Sequence, residues 1–313
     1  MTVSTGAQRT IPTRLPVDLG LTLGPLRHGG GRDPCLRVGS GAVWRATDTA
    51  GGPATVRLHS AAPTIIVATA WGPGAECALD EVRDLVGADD VAPSLAGVHP
   101  VVTELARRLV GLRIGRTGAV LDALVPVVLA QRVIGVEARD AYRAMVRAAG
   151  RAAPVAGPVS DPIASRMLLP PKAAWLATIP SWTFHRWGVE AKRATTITTA
   201  AAHAHRLDEL PQLPFDEARR RLAALPGVGP WTANTVAMVA LGDPDAVAVG
   251  DYWLKHVVSF ALTGEARGTD ERMLELLEPW RGQRGRVCRL LLHGAPPIPR
   301  FGPKLPRRNL ARH

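Results

Sequence analysis

The sequence predicts an α+β protein: a small N-terminal domain, an antiparallel sheet plus a helix, followed by a mostly α-helical domain. Three observations predict it. Four β-type segments crowd residues 35–72, and an amphipathic helix follows at once. Beyond about residue 100 the apolar spacing changes from strand-like alternation to the helical three-to-four repeat.

The elements follow in order. "MTVSTGAQRTIPTRLP" has no apolar core, so residues 1–20 read as a flexible tail. The α+β domain takes 21–100. Its strands are "CLRVG", "AVWRATDT", "ATVRLHSA" and "TIIVATAWG", separated by Gly, Pro and Asp. "GAECALDEVRDLVG" then puts Ala78, Leu79, Val82, Leu85 and Val86 on one helical face. An all-α domain is placed at 101–295. "VVTELARRLVGL" and "TGAVLDALVPVVLAQRVIGVEARDAYRAMVRAAG" read as helices, with Pro126 kinking the second or marking its first turns. Residues 153–171 hold five prolines and read as a loop. Helical text resumes from "KAAWLATI" to "GQRGRVCRLLLH". "SWTFHRW", with Trp182, Phe184 and Trp187, reads as a buried helical corner. Residues 296–313 form a Pro/Arg-rich tail.

The bulk numbers narrow the function. A chain of 313 residues with 46% hydrophobic content builds real cores. Its net charge of +11 points to a polyanionic partner, nucleic acid or an anionic membrane, although genomic base composition also enriches Arg. Three dispersed cysteines make no disulfide framework or zinc site, cannot ligate an all-cysteine iron–sulfur cluster, and suit a reducing cytoplasm. No run of 18 apolar residues suggests a membrane span. His203 and His205, two apart, make no metal pair.

"ALPGVGPWTANTVAMVAL" carries the most information. Phe215, Ala218, Leu222 and Leu225 form one helical stripe, which Pro226 ends. Gly227 and Gly229 permit a tight turn, and Pro230 suits the first position of the next helix. Such a helix–hairpin–helix presents free backbone N–H groups, which hold phosphate without reading sequence. A plain αα-hairpin is the equal alternative for "PGVG" taken alone. Ten residues on, "VGDYWLKH" places Asp251 before a helix starting at Tyr252, a favoured helix-capping use of Asp.

Taken together, these segments resemble the helix-hairpin-helix (HhH-GPD) DNA glycosylases, in particular the alkylpurine (3-methyladenine) branch. "LPGVGPWTAN" is similar to the family hairpin, and "VGDYWLKH" to the loop with the family aspartate. "LDALVPVVLAQRVIGVEA" is similar to the helix that carries a Gln before the DNA-probing segment, and "EPWRGQR" to a late Pro-Trp-Arg segment. The likeness covers roughly residues 100–295. It implies an active site in a cleft between helical subdomains. It implies Asp251 as the catalytic carboxylate, and Leu225, Pro226, Gly227, Val228, Gly229, Pro230 and Thr232 as the DNA-binding hairpin. It also implies a base pocket of Trp231 and Gln131, with core packing as the alternative for Trp231, and with Tyr252 and Trp253 as further candidates for which packing is the better alternative.

Arg132, after Gln131, falls at the wedge that fills the gap left by a flipped nucleotide, or else lies on a solvated helix face. Members that also nick the strand carry a lysine where this chain has Trp231, and Lys255 does not match that motif. The expectation is therefore a monofunctional enzyme acting as a monomer on damaged purines in duplex DNA, cytoplasmic and nucleoid-associated. It needs no cofactor beyond a monovalent cation at the hairpin backbone. The competing expectations are a non-catalytic helix-hairpin-helix DNA-binding protein and an oxidised-purine glycosylase/lyase. Two departures bear on the pocket: Thr235 stands where the branch often has an aromatic, and Arg289 or Leu291 replaces a second one.

Overall fold

The computed structural model describes residues 6–39, 41–154 and 166–298. Five strands, β1 (Ala7–Pro12), β2 (Leu36–Gly39), β3 (Ala42–Thr49), β4 (Gly52–Ala62) and β5 (Ile65–Trp71), form an antiparallel sheet in the order β1-β5-β4-β3-β2. Val43, Val56, Leu58, Ile66, Ala68 and Ala70 alternate onto one face. There they meet Ala78, Leu79, Val82 and Leu85 of α2 (Ala75–Leu85) in a single core. A short helix α1 (Leu19–Leu23), capped by the Asp18 carboxylate, joins that core.

This corrects the reading of residues 1–20 as a tail. Residues 7–12 are an edge strand, registered on β5 from Ala7–Ala70 to Pro12–Ile65. Only Ile11 is buried in it, so it carries almost no apolar alternation to read. Of the C-terminal tail, residues 299–313 lie outside the described residues.

The remaining helices divide between two cores. One is built by α4 (Val120–Leu129), α5 (Gly135–Ala149), α6 (Ala173–Thr178), α7 (Ser181–Arg186), α8 (Ala191–Ala202), α9 (Ala204–Leu207), α10 (Phe215–Ala223) and α11 (Pro230–Val236), which runs on into a π-helical turn, Ala237–Leu241. The other is built by α3 (Pro100–Arg108), α12 (Leu254–Thr263), α13 (Asp270–Leu277) and α14 (Arg284–Gly294). Three details differ from expectation. Pro126 sits inside α4 without breaking it, and the chain breaks instead at residues 130–134. Phe215 is 41% exposed, so the buried stripe of α10 is Ala218 and Leu222. In "SWTFHRW" Phe184 is buried against Trp187, but Trp182 is 67% exposed, so only part of that corner is core.

Candidate active site

The hairpin between α10 and α11 is built by close approach. Gly227 has φ +85°, and a Cβ there would overlap the Thr196 hydroxyl of α8, so only glycine fits. Val228 turns inward and is buried, and its N–H donates to Leu225 O at 3.0 Å. Pro230 occupies the first helical position, and the first helical hydrogen bond runs from Ala233 N–H to Gly229 O, 2.9 Å. Among the described residues, none accepts from the N–H groups of Gly229, Trp231 or Thr232. These donors stand at a helix start whose turn residues Pro226, Gly227, Gly229 and Pro230 are exposed, the arrangement that suits an anionic oxygen.

Gln131 locks the hairpin to the end of α4. Its Nε2 donates to Gly227 O at 3.0 Å and to the buried Thr232 hydroxyl at 2.9 Å. Buried Arg193 of α8 braces the same helix end, donating to Leu129 O at 2.7 Å. Gln131 is thus spent on holding hairpin and turn together. A monovalent cation at the hairpin carbonyls would find Gly227 O taken by Gln131 and Leu225 O by Val228, each with one lone pair left. Arg132, next in the chain, is exposed. It is the one non-glycine among the described residues with positive φ, +55°. A left-handed conformation costs an ordinary residue about 1 kcal/mol or more. Here it projects an arginine from the turn beside the hairpin.

Asp251 stands across from the hairpin. The apolar run Ala246–Val249 anchors the loop before it, with Ala246 and Val247 buried. Gly250 then takes φ +91°. The Asp251 carboxylate has three donors. Oδ1 accepts from the backbone N–H of Trp253 (2.8 Å) and Leu254 (2.9 Å), the capping role foreseen for an Asp at this point, though α12 begins at Leu254 and not at Tyr252. Oδ2 accepts from the indole Nε1 of Trp231 at 3.2 Å. Trp231 packs against the α4–α11 core, whereas Asp251 leads into α12 of the other core. This bond therefore spans the junction of the two helical units, and two residues twenty apart in sequence meet there.

Tyr252 and Trp253, the next two residues of the chain, meet each other edge-to-face at 5.1 Å and are 66% and 48% exposed, so core packing does not explain them. The departures from the aromatic pattern are structural. Thr235 donates its hydroxyl back to Trp231 O at 2.7 Å. Leu291 is buried in the α3/α12–α14 core, and buried Arg289 donates to Arg113 O at 3.1 Å.

One participant was not singled out from the sequence. Asp270, first residue of α13, accepts from Gly250 N–H through Oδ1 (3.1 Å) and from Lys255 Nζ through Oδ2 (3.3 Å). It clamps the residue before Asp251 and engages Lys255, one helical turn past Asp251. In the sequence it is indistinguishable from an ordinary acidic residue in a first helical turn. His256, also on α12, is held below its usual pKa, first by burial and then by the charges of Lys255 and Arg267. Its Nδ1 accepts from Gly268 N–H at 3.1 Å. Among the described residues no three His, Cys, Asp or Glu side chains cluster to hold a metal, and no helix is long and apolar enough to cross a membrane.

No family model matches the chain. Over 74 residues it is 32% identical to the DNA-3-methyladenine glycosylase of Bacillus subtilis, 24% of each protein. Over 41 residues it is 56% identical to a Mycobacterium tuberculosis protein named "Probable bifunctional transcriptional activator/DNA repair enzyme AlkA", covering 13% of this chain and 8% of that one. The matches therefore span about a quarter or less of these relatives' length. Among solved structures, a 3-methyladenine DNA-glycosylase from Archaeoglobus fulgidus superposes with a TM-score of 0.70 at 19% identity, over 91% of this chain and 98% of that one. An 8-oxoguanine glycosylase/lyase from Clostridium acetobutylicum, in its apo-form, superposes with 0.66 at 12% identity, over 93% and 99%. These likenesses establish the fold.

Proposed function

We propose that the chain, which shares the fold of solved DNA glycosylases and a short stretch of sequence with a DNA-3-methyladenine glycosylase, is a helix-hairpin-helix monofunctional DNA glycosylase that excises alkylated purines of the 3-methyladenine type from duplex DNA. The observation that carries this reading is the Trp231–Asp251 hydrogen bond between the two helical units. It sets an aromatic ring and an oriented carboxylate side by side, next to a hairpin with free N–H donors.

In the proposed reaction the hairpin holds a phosphate near the lesion and Arg132 enters the gap left by the flipped nucleotide. Flipping costs a few kcal/mol of pairing and stacking. The extruded base lies against the Trp231 ring, beside Tyr252 and Trp253. A cationic alkylpurine gains about 0.5–2 kcal/mol there from cation–π attraction. Its own charge also makes it a good leaving group. As the N-glycosidic bond breaks, positive charge develops on the sugar, and the Asp251 carboxylate stabilises it. Two backbone N–H groups occupy Oδ1, which leaves Oδ2, with one indole donor, to face the sugar and orient water. A strand-nicking reaction would need an amine nucleophile. Trp231 holds the position where such a lysine sits in the lyases, and Lys255 is engaged by Asp270. The product is an abasic site in an uncut strand. We place the enzyme, as a monomer, on chromosomal DNA in the cytoplasm.

The test is base release from duplex DNA treated with a methylating agent, followed by mass spectrometry. Free 3-methyladenine with an intact strand is expected, and Asp251→Asn should slow release at least ~100-fold, the scale of losing one preorganised electrostatic group. DNA binding without release would favour a non-catalytic binder. A borohydride-trapped adduct would favour a lyase.

A further inference from the structure

The sheet domain reaches the proposed DNA face through one loop. Residues 27–32, "RHGGGR", follow α1 and fold into a 3-10 turn, Gly30–Arg32. The loop is fixed from within, since the buried Asp33 carboxylate accepts from the N–H groups of Gly29, Cys35 and Leu36. It is also fixed from α5. Arg143 donates to Gly29 O at 3.0 Å, and a Cβ on Gly30 would meet the Arg139 side chain at 2.8 Å. Arg139 in turn folds back along its helix, its Nη1 3.1 Å from where a Cβ on Gly135 would stand. Gly135 is three residues past Arg132. The hairpin, Gln131, Arg132, Arg139 and the 27–32 loop therefore make one continuous surface.

Its charge is unbalanced. Arg27, Arg32, Arg132 and Arg139 are exposed, and among the described residues none of them makes an ion pair. On the same helix Asp140 pairs with Arg143. By contrast Arg14, Arg83 and Arg107 on other faces pair with Asp89, Asp89 and Glu104. Four helical residues rise about 6 Å, and each DNA strand presents a phosphate about every 3.4 Å of axis. Arg139 and the loop thus begin within about two nucleotides of the wedge turn.

We propose that Arg27, Arg32 and Arg139 form a second phosphate-binding surface, by which the sheet domain grips duplex DNA beside the flipped nucleotide. This rests on the DNA reading above. The probe is a 21-base-pair duplex with a tetrahydrofuran abasic-site analogue, followed by fluorescence anisotropy from 50 to 300 mM salt. The triple variant Arg27→Gln, Arg32→Gln, Arg139→Gln keeps the apolar stems and removes three cations. Each lost phosphate contact lowers the slope of log K against log salt by about 0.9, so the slope should fall by about 2–3 and Kd at 150 mM rise at least ~10-fold. A control of equal charge loss, Arg14→Gln, Arg83→Gln, Arg107→Gln, should change Kd less than ~2-fold. Thermal melts confirm that both variants fold. A triple variant with the wild-type slope, or a control that loses as much affinity, overturns the second surface alone. A wild-type protein with no salt-dependent affinity overturns the DNA reading and this surface with it.

Discussion

Replacing Trp231 by Phe removes one hydrogen bond and leaves an aromatic ring in place, which separates the two parts assigned to this residue. The lost bond runs from Nε1 to Oδ2 of Asp251 at 3.2 Å. Hydrogen bonds to charged groups contribute about 1.5–3 kcal/mol. Both residues are half-buried and the bond is long, so the low end applies. About 1.5 kcal/mol is roughly a tenfold loss in rate. Base stacking, about 1–3 kcal/mol on an aromatic platform, is largely kept for the lesion by the phenyl ring, and abasic-analogue DNA has no base to stack, so affinity for that duplex should change less than ~3-fold. The assay is single-turnover release of 3-methyladenine at saturating enzyme, repeated in an Asp251→Asn background. If the indole acts through the carboxylate, the two substitutions couple by at least about 1 kcal/mol. A wild-type rate for Trp231→Phe, or strict additivity in the cycle, would refute the positioning argument.

Three further outcomes are expected. Asp270→Ala frees the Gly250 N–H and Lys255 together and should slow base release about tenfold at unchanged DNA affinity; weaker binding with an unchanged rate would count against it. Gly227→Ala puts a Cβ at φ +85° against Thr196 and should lower Tm by at least about 3 °C and weaken DNA binding, as read by calorimetry and anisotropy. Burial lowers His28 to about 4, so the unfolded chain takes up this proton first, and stability present above pH 6.5 is lost as pH falls towards 4. Asp122, pushed up to about 6 by burial, acts in the opposite direction. His28→Gln should therefore lose less Tm than wild type between pH 7 and 5, and equal losses would remove His28 from the account.

The legible parts of the chain were those in which burial imposes a period. β2 to β5 and α2 could be read because one face of each meets a core and Gly or Pro punctuates their ends. β1 could not, because an edge strand with a single buried residue needs no alternation. The break after α4 fell at Gln131–Ile134 and not at Pro126, because tertiary contacts, Gln131 to the hairpin and Arg193 to Leu129, hold that end. Trp231 and Asp251 could be named from the family resemblance of the hairpin and loop, but their contact could not, since it joins separate cores. Asp270 looked ordinary because its partner Gly250 is twenty residues away and offers only a backbone N–H.

The pairing of β1 with β5 has a consequence for handling the protein. β5 reads "IIVATAW", uncharged and rich in β-branched residues, the composition of a segment that templates intermolecular pairing when its edge is open. β1 covers that edge with "AQRTIP", whose Arg9 reaches Glu76 and Asp80 and whose last residue, Pro12, has no N–H to offer a further strand. The outer rim of the sheet is thus charged and closed by proline. A version trimmed to begin after residue 12 would exchange that rim for a sticky one, and its first failure would be self-association of the sheet domain rather than loss of the helical site.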